Sequence, residues 1–324
     1  MSYISNMKGY FLLVATFLFV SSTFAQIRVG TPKIGKMANF KLEEWENYKT
    51  LKTYFVIRES DKKNRDLIES ILQEVWKFNQ YEIIDFDQYK LMPEDGSAIF
   101  FGLRNYNTNV QYTPNSDLAG KFAQSNNLKI QLWRNLPNKK HELITEDVLA
   151  CMIVTSPTSP NFRSELLKRR TADAFEYVCK SNEVVQEWDW GFLKNNLQLI
   201  ERHLRANESR WEFKSEVEKE KTYDLKSEIL YVPSNIDWYY ESNNASPFEK
   251  YSGKEIVFIS PKDLSNKILN SGTKFYYLQL LMLENEKVVT VINSVSGEYI
   301  YSEYSILSHF FCEKDIKELN KAIK

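Results

Sequence analysis

Apolar positions along this chain recur at two spacings, and each spacing predicts a different element. TYFVI (Thr53 to Ile57) is β-branched and aromatic and predicts a strand. Beyond it, Leu67, Ile68, Ile71, Leu72, Val75, Trp76 and Phe78 fall at helical spacing, with Ser60 or Asp61 placed to cap the start. YEIIDF (Tyr81 to Phe86) and SAIFFGL (Ser97 to Leu103) return to strand character. The region therefore opens as strand, helix, strand, strand.

The same pattern recurs further along. EIIDFDQYKL (Glu82 to Leu91) and EIVFISPKDL (Glu255 to Leu264) are identical at three of ten positions, and their surroundings run in parallel. Lys52 to Ile57 matches Ser227 to Val232, and GSAIFFGL from Gly96 matches GTKFYYLQ from Gly272. Lys129 to Asn135 matches Lys287 to Asn293, each followed by a turn and a further strand, HELIT (His141 to Thr145) or EYIYS (Glu298 to Ser302). The expectation is a duplicated α+β unit.

The repeat also bears on two acids, Asp85 and Asp87, which share a face of an extended chain. Asp87 falls on Ser260, which opens a helix with every start and stop signal. Ser260 is the cap, Pro261 the first helical residue, Asp263 the capping-box acid, and Gly272 the stop. Asp87 is thus expected to cap a short turn before Pro93, a contribution of about 1 kcal/mol. Asp85 falls on Phe258 and has no counterpart, so the pair reads as structural rather than as an acid–base site.

Between the copies, Asn161 to Asn182 and Phe192 to Trp211 read as amphipathic helices, the second with the stripe Leu193, Leu197, Ile200 and Leu204. SPTSP (Ser156 to Pro160) marks a boundary, and the charged run KSEVEKEKTYD reads as a solvated extension of the second helix or a linker. The last residues form a helix with Ile316, Leu319 and Ile323 on one face and Ser308 as its candidate cap. The expected fold is α+β: two related small sheet-and-helix units joined by a helical segment. Its expected boundaries are a leader at 1–25, a first unit at 26–155, a connecting segment at 156–222 and a second unit at 223–324.

The leader is read from Lys8, an apolar run of eleven (Tyr10 to Val20), and Thr23 and Ala25 ahead of Gln26. This is the pattern of a cleaved secretory signal, and the run is too short to span a bilayer. The expectation is an exported chain, periplasmic or extracellular, with no transmembrane segment once mature. The leader ending in FAQ, with abundant Lys, Asn and Tyr, resembles exported proteins of the bacterial phylum Bacteroidota. The net charge of −1 has no long block of one sign, so nothing suggests a nucleic-acid partner. Cys151, Cys179 and Cys312 are too sparse for a disulfide scaffold; Cys151, in an apolar run, reads as a buried thiol, with a Cys151–Cys179 bond left open.

Chemistry is scarce. The three histidines, His141, His203 and His309, fit no metal-binding spacing, and Cys312 with His309 is a weak nucleophile pair. No GxSxG, SxxK, Walker A or GxGxxG occurs, and no cofactor site is expected. Two places could bind something. One is the stretch Arg104 to Asn127, read as a long loop and either functional or inert, with Tyr106 and Tyr112 as candidate contacts. The other is WDW, Trp188 to Trp190, with Trp211, Trp238, Tyr239 and Tyr240 near in sequence. Exposed, these rings would mark a partner or glycan surface; buried, they would hold the helical section against the sheets. The expected function is an exported, non-enzymatic interaction or scaffold protein with an envelope protein as partner. The alternatives are a secreted hydrolase, acting on glycans, and a small-ligand carrier.

Overall fold

The computed structural model describes residues 27–33, 36–111, 122–137, 144–154, 160–169, 171–211, 215–240, 246–282, 286–306, 308 and 310–324. The leader lies outside them. The chain opens with β1 (Ile27–Val29), the hairpin β2 (Thr31–Lys33) and β3 (Lys36–Ala38), and α1 (Leu42–Thr50). Then come β4 (Lys52–Val56), α2 (Arg65–Val75), β5 (Tyr81–Ile84), the short α3 (Phe86–Tyr89), β6 (Ala98–Gln111), β7 (Phe122–Pro137) and β8 (Ile144–Ile153). The helical section holds α4 (Pro160–Leu167), α5 (Thr171–Lys180) and α6 (Trp190–Ala206). The second half contains β9 (Glu216–Val217), α7 (Lys219–Thr222), β10 (Ile229–Pro233), β11 (Glu255–Ile259) and α8 (Pro261–Asn270). It ends with β12 (Tyr276–Met282), β13 (Glu286–Asn293), β14 (Tyr299–Ile306) and α9 (Glu313–Ile323).

Two six-stranded sheets result, and their topologies match. The first runs β5-β4-β6-β7-β8-β1 and the second β11-β10-β12-β13-β14-β9. In each, one strand lies parallel to both neighbours, β4 or β10, and the next three pair antiparallel. In each, an edge strand from earlier in the chain closes the far side. The register repeats as well. The matched glutamates Glu82 and Glu255 sit beside Tyr54 and Ile229, positions that the sequence repeat also equates.

Helix α6 lies between the sheets and is buried on two sides. Phe192 meets the Tyr277 ring edge-on at 5.7 Å, and the Asn195 and Asn196 carboxamide oxygens accept the Tyr277 and Tyr299 hydroxyls. Leu193 and Leu197 line a small cavity with Phe55 and Phe101 of the first sheet. The stripe read from sequence is thus half of the buried surface. The main core takes residues from both sheets and from α2, α6 and α8. On the other face of the second sheet, α9 sets Ile316, Leu319 and Ile323 among Leu230, Leu278 and Val291. On the other face of the first, α5 sets Phe175 and Cys179 among Val56, Phe100 and Trp133.

Several local expectations change. The stretch between the leader and Thr53, for which the sequence offered no element, carries three strands and α1. Asp61 does not cap α2. It lies in a 3-10 turn (Glu59–Asn64) and accepts from the Arg58 backbone and guanidinium and from the Trp188 indole. The segment 161–182 is two helices rather than one, and β9 within the charged run pairs with β14 at the second sheet's edge. Cys312, not Ser308, occupies the cap position of α9, where Asp315 accepts its N–H at 2.8 Å. The final helix end is fixed further by Lys287, whose buried ammonium donates to Asp315 Oδ2 at 2.6 Å and to the Phe310 carbonyl at 2.7 Å.

Candidate interaction surface

Of the stretch 104–127, residues 104–111 and 122–127 are strand rather than loop, and 112–121 lie outside the described residues. Strands β6 and β7 pair without a break from Phe100 opposite Trp133 to Gln111 opposite Phe122. Their outer neighbours stop much earlier. Strand β4 accompanies β6 only as far as Phe101, and β8 accompanies β7 only from Lys129 onward, with one further backbone bond from Val154 N–H to the Leu128 carbonyl. Residues 106–111 and 122–127 therefore form a two-stranded arm of about 20 Å at the rise of an extended chain. Both of its outer edges lack a strand partner among the described residues. The turn-forming residues Pro114, Asn115, Ser116, Asp117 and Gly120 all lie within 113–121, and neither flank contains Gly or Pro. That concentration is the signal a sequence reading could have used to find a hairpin.

The composition of the arm is unusual for free edges. YNTNVQ and FAQSNN contain no charged residue, in a chain that is 26% charged. Natural edge strands are usually guarded by charges, proline or bulges because their unpaired N–H and C=O groups recruit other strands. This arm has none of those guards along either described edge. Tyr106 lies in β6 within the arm, and Tyr112 lies outside the described residues.

The tryptophan corner is placed differently. Trp188 is buried, stacks on Phe101 with centroids 6.2 Å apart, and donates from Nε1 to Asp61 Oδ2 at 2.8 Å. Asp61 in turn holds the Arg58 guanidinium, whose Nη1 donates to the Glu183 carbonyl at 2.6 Å. Trp188 thus presents no face to solvent and ties the helical section to the first sheet. Trp190 is half-buried and packs against the main core beside it. Tyr239 and Tyr240 pack on the core beneath α9.

The acid pair is structural, with its roles exchanged. Asp85 is the cap of α3 and accepts from the Gln88 N–H at 2.9 Å. That bond, with Lys62 at 3.0 Å, holds its carboxyl below the usual range. Asp87 is exposed in the first turn with Lys90 at 3.3 Å. The aligned strand runs to Ile259 in the second copy but stops at Ile84 in the first, which moves the cap back by two residues.

Burial shifts several other titratable groups. Burial pushes the Cys179 thiol well up and the His203 imidazole down. It also raises Glu201, which lies on an open cleft between α2 and α6. Among the described residues no three His, Cys, Asp or Glu side chains cluster to hold a metal. His141 and His309 lie outside those residues. The apolar cavity beside Trp188 measures about 20 Å³, enough for roughly one water or methyl group and far below a ligand site of about 300 Å³ or more. No described helix is long and apolar enough to cross a membrane.

No protein-family model, curated protein or solved structure matches the chain.

Proposed function

We propose that the chain is an exported, non-enzymatic interaction protein of the bacterial cell envelope, and that the β6–β7 arm is its contact element. One observation carries the reading: two six-residue strand segments, 106–111 and 122–127, uncharged and with no strand partner on their outer edges among the described residues. Such edges bind an extended segment of a partner protein through main-chain hydrogen bonds, with alternate side chains adding selectivity. The duplicated sheets and the doubly buried α6 serve as a rigid base from which the arm projects. The leader pattern and the resemblance to exported Bacteroidota proteins support the location.

The test replaces 106–127 with a two-residue turn joining Asn105 to Leu128. Tagged wild-type and armless chains are then captured from the native host after in-cell cross-linking. A stoichiometric envelope protein recovered with the wild type and lost with the armless chain is expected. Equal recovery from both would remove the arm from the account.

A secreted hydrolase is the second reading, favoured by one observation: Glu201 and Glu74 line the same cleft. Glu74 is tied up by Lys194 at 2.8 Å, however, and is not free to face a substrate. Release of reducing sugar from host glycans, abolished by Glu201→Gln, would establish that reading.

A further inference from the structure

Apart from the arm, one polar cleft of about 360 Å³ opens where the two units meet. Its walls come from the end of α2 (Glu74) and Lys77 just beyond it, one side of α6 (Glu201, Arg202, Arg205), and Ser296 in the turn between β13 and β14. The walls are held in place. Arg202 Nη2 donates to the Ser296 carbonyl at 2.6 Å, and Gln198 Nε2 to the Val295 carbonyl at 3.0 Å, so α6 grips the turn of the second unit. Lys194 fixes Glu74 at 2.8 Å.

At the floor, Glu201 is 4% exposed and accepts from the Lys77 backbone N–H. Its Oε1 lies 3.4 Å from Arg205 Nε and has no hydrogen-bond partner of ordinary geometry. Burying a carboxylate with so little compensation is costly, and a donor arriving in the cleft would relieve it. The Arg205 side chain is 62% exposed, and its two terminal nitrogens have no partner among the described residues. They offer a planar fork suited to a carboxylate.

The cleft thus presents both signs of charge, three cations against two carboxylates. A simple anion would meet Glu201 and Glu74, and a simple cation would meet Lys77, Arg202 and Arg205. A molecule bearing both signs satisfies each set. We infer that this cleft binds a small zwitterion of amino-acid or dipeptide size, its carboxylate on the Arg205 fork and its ammonium on Glu201. Because its walls come from both units and α6, the bound molecule would also clamp the two halves together.

The test is calorimetric titration of the full secreted chain with L-alanyl-L-alanine, its N-acetyl form and its C-terminal amide, to about 10 mM. Saturable binding of the free dipeptide is expected, with at least a tenfold loss for either blocked form. Arg205 is exposed, so Arg205→Ala should fold normally and bind the free dipeptide and its amide alike. Glu201→Gln should likewise erase the penalty for N-acetylation. Absence of saturable binding by the free dipeptide, equal binding of free and blocked forms to the wild type, or unchanged selectivity in Arg205→Ala would each overturn the inference.

Discussion

Replacing Gly191 with alanine tests whether α6 really crosses α8 as closely as the shared core requires. A Cβ built at Gly191 would lie 2.3 Å from the Ser265 carbonyl oxygen and 2.7 Å from its Cα. Both are backbone atoms, so no side chain can swing away and the helices must separate. Overpacking of this kind costs about 1–3 kcal/mol. Separation also weakens the bond from Gly191 N–H to Ser265 Oγ, 3.0 Å long and buried, at about 1–3 kcal/mol for a stranded donor. Alanine returns up to about 1 kcal/mol of helix propensity. The loss should therefore be about 2–4 kcal/mol, a fall in Tm of roughly 3–6 °C for a chain of this size. Urea and thermal unfolding of the two chains would measure it. Gly272→Ala is the control: nothing lies within 4 Å, but φ is +59°, so only about 1–2 kcal/mol of left-handed strain should appear. If Gly191→Ala were as stable as the wild type, the close crossing, and with it the single core across both sheets, would be refuted.

Asp61→Ala should cost about 3–5 kcal/mol in urea unfolding, because it strands the buried Arg58 guanidinium along with the Trp188 indole N–H. A loss below about 1 kcal/mol, the size expected of an exposed pair, would contradict the burial described. His203 is held neutral by burial, with Arg210 adding to the effect and Glu208 opposing it. Its folded pKa lies below its unfolded 6.5, so its share of stability is present above that value and is lost as pH falls. His203→Gln should flatten the decline in stability below pH 6.5, and an unchanged slope would show the imidazole to be solvated. With a thiol reagent under native conditions, half-buried Cys312 should react first, while Cys151 and Cys179 wait for denaturant. Equal labelling of all three would mean that α5 does not pack Cys179 against the first sheet.

How much of this was legible in the sequence depended on how local each signal was. Ser260, Pro261, Asp263 and Gly272 carry their instruction within one helix, and α8 starts and stops where they say. The stripe of α6 was equally plain, but its second buried side, with Phe192, Asn195 and Asn196, was not. Two of those residues are polar, and their burial is explained by tyrosines about a hundred residues away. The short edges β1 and β9 carry no periodicity of their own and exist only through pairing with β8 and β14. The arm was obscured by its asparagines, which are poor strand formers in isolation, although its turn residues were confined to a few positions. The bond joining Asp61 to Trp188 spans 127 residues, and no spacing rule reaches that far.

The central claim, that the arm is the surface through which this protein meets its partner, is tested most directly by site-specific photocross-linking in the native host. A photoreactive side chain would replace Asn109 in the arm and, in a separate chain, Leu91, which is 85% exposed on the body. One discrete, heavier adduct from position 109 and none from position 91 is the result the account predicts. Adducts from position 91 alone, or the same adducts from both, would contradict it.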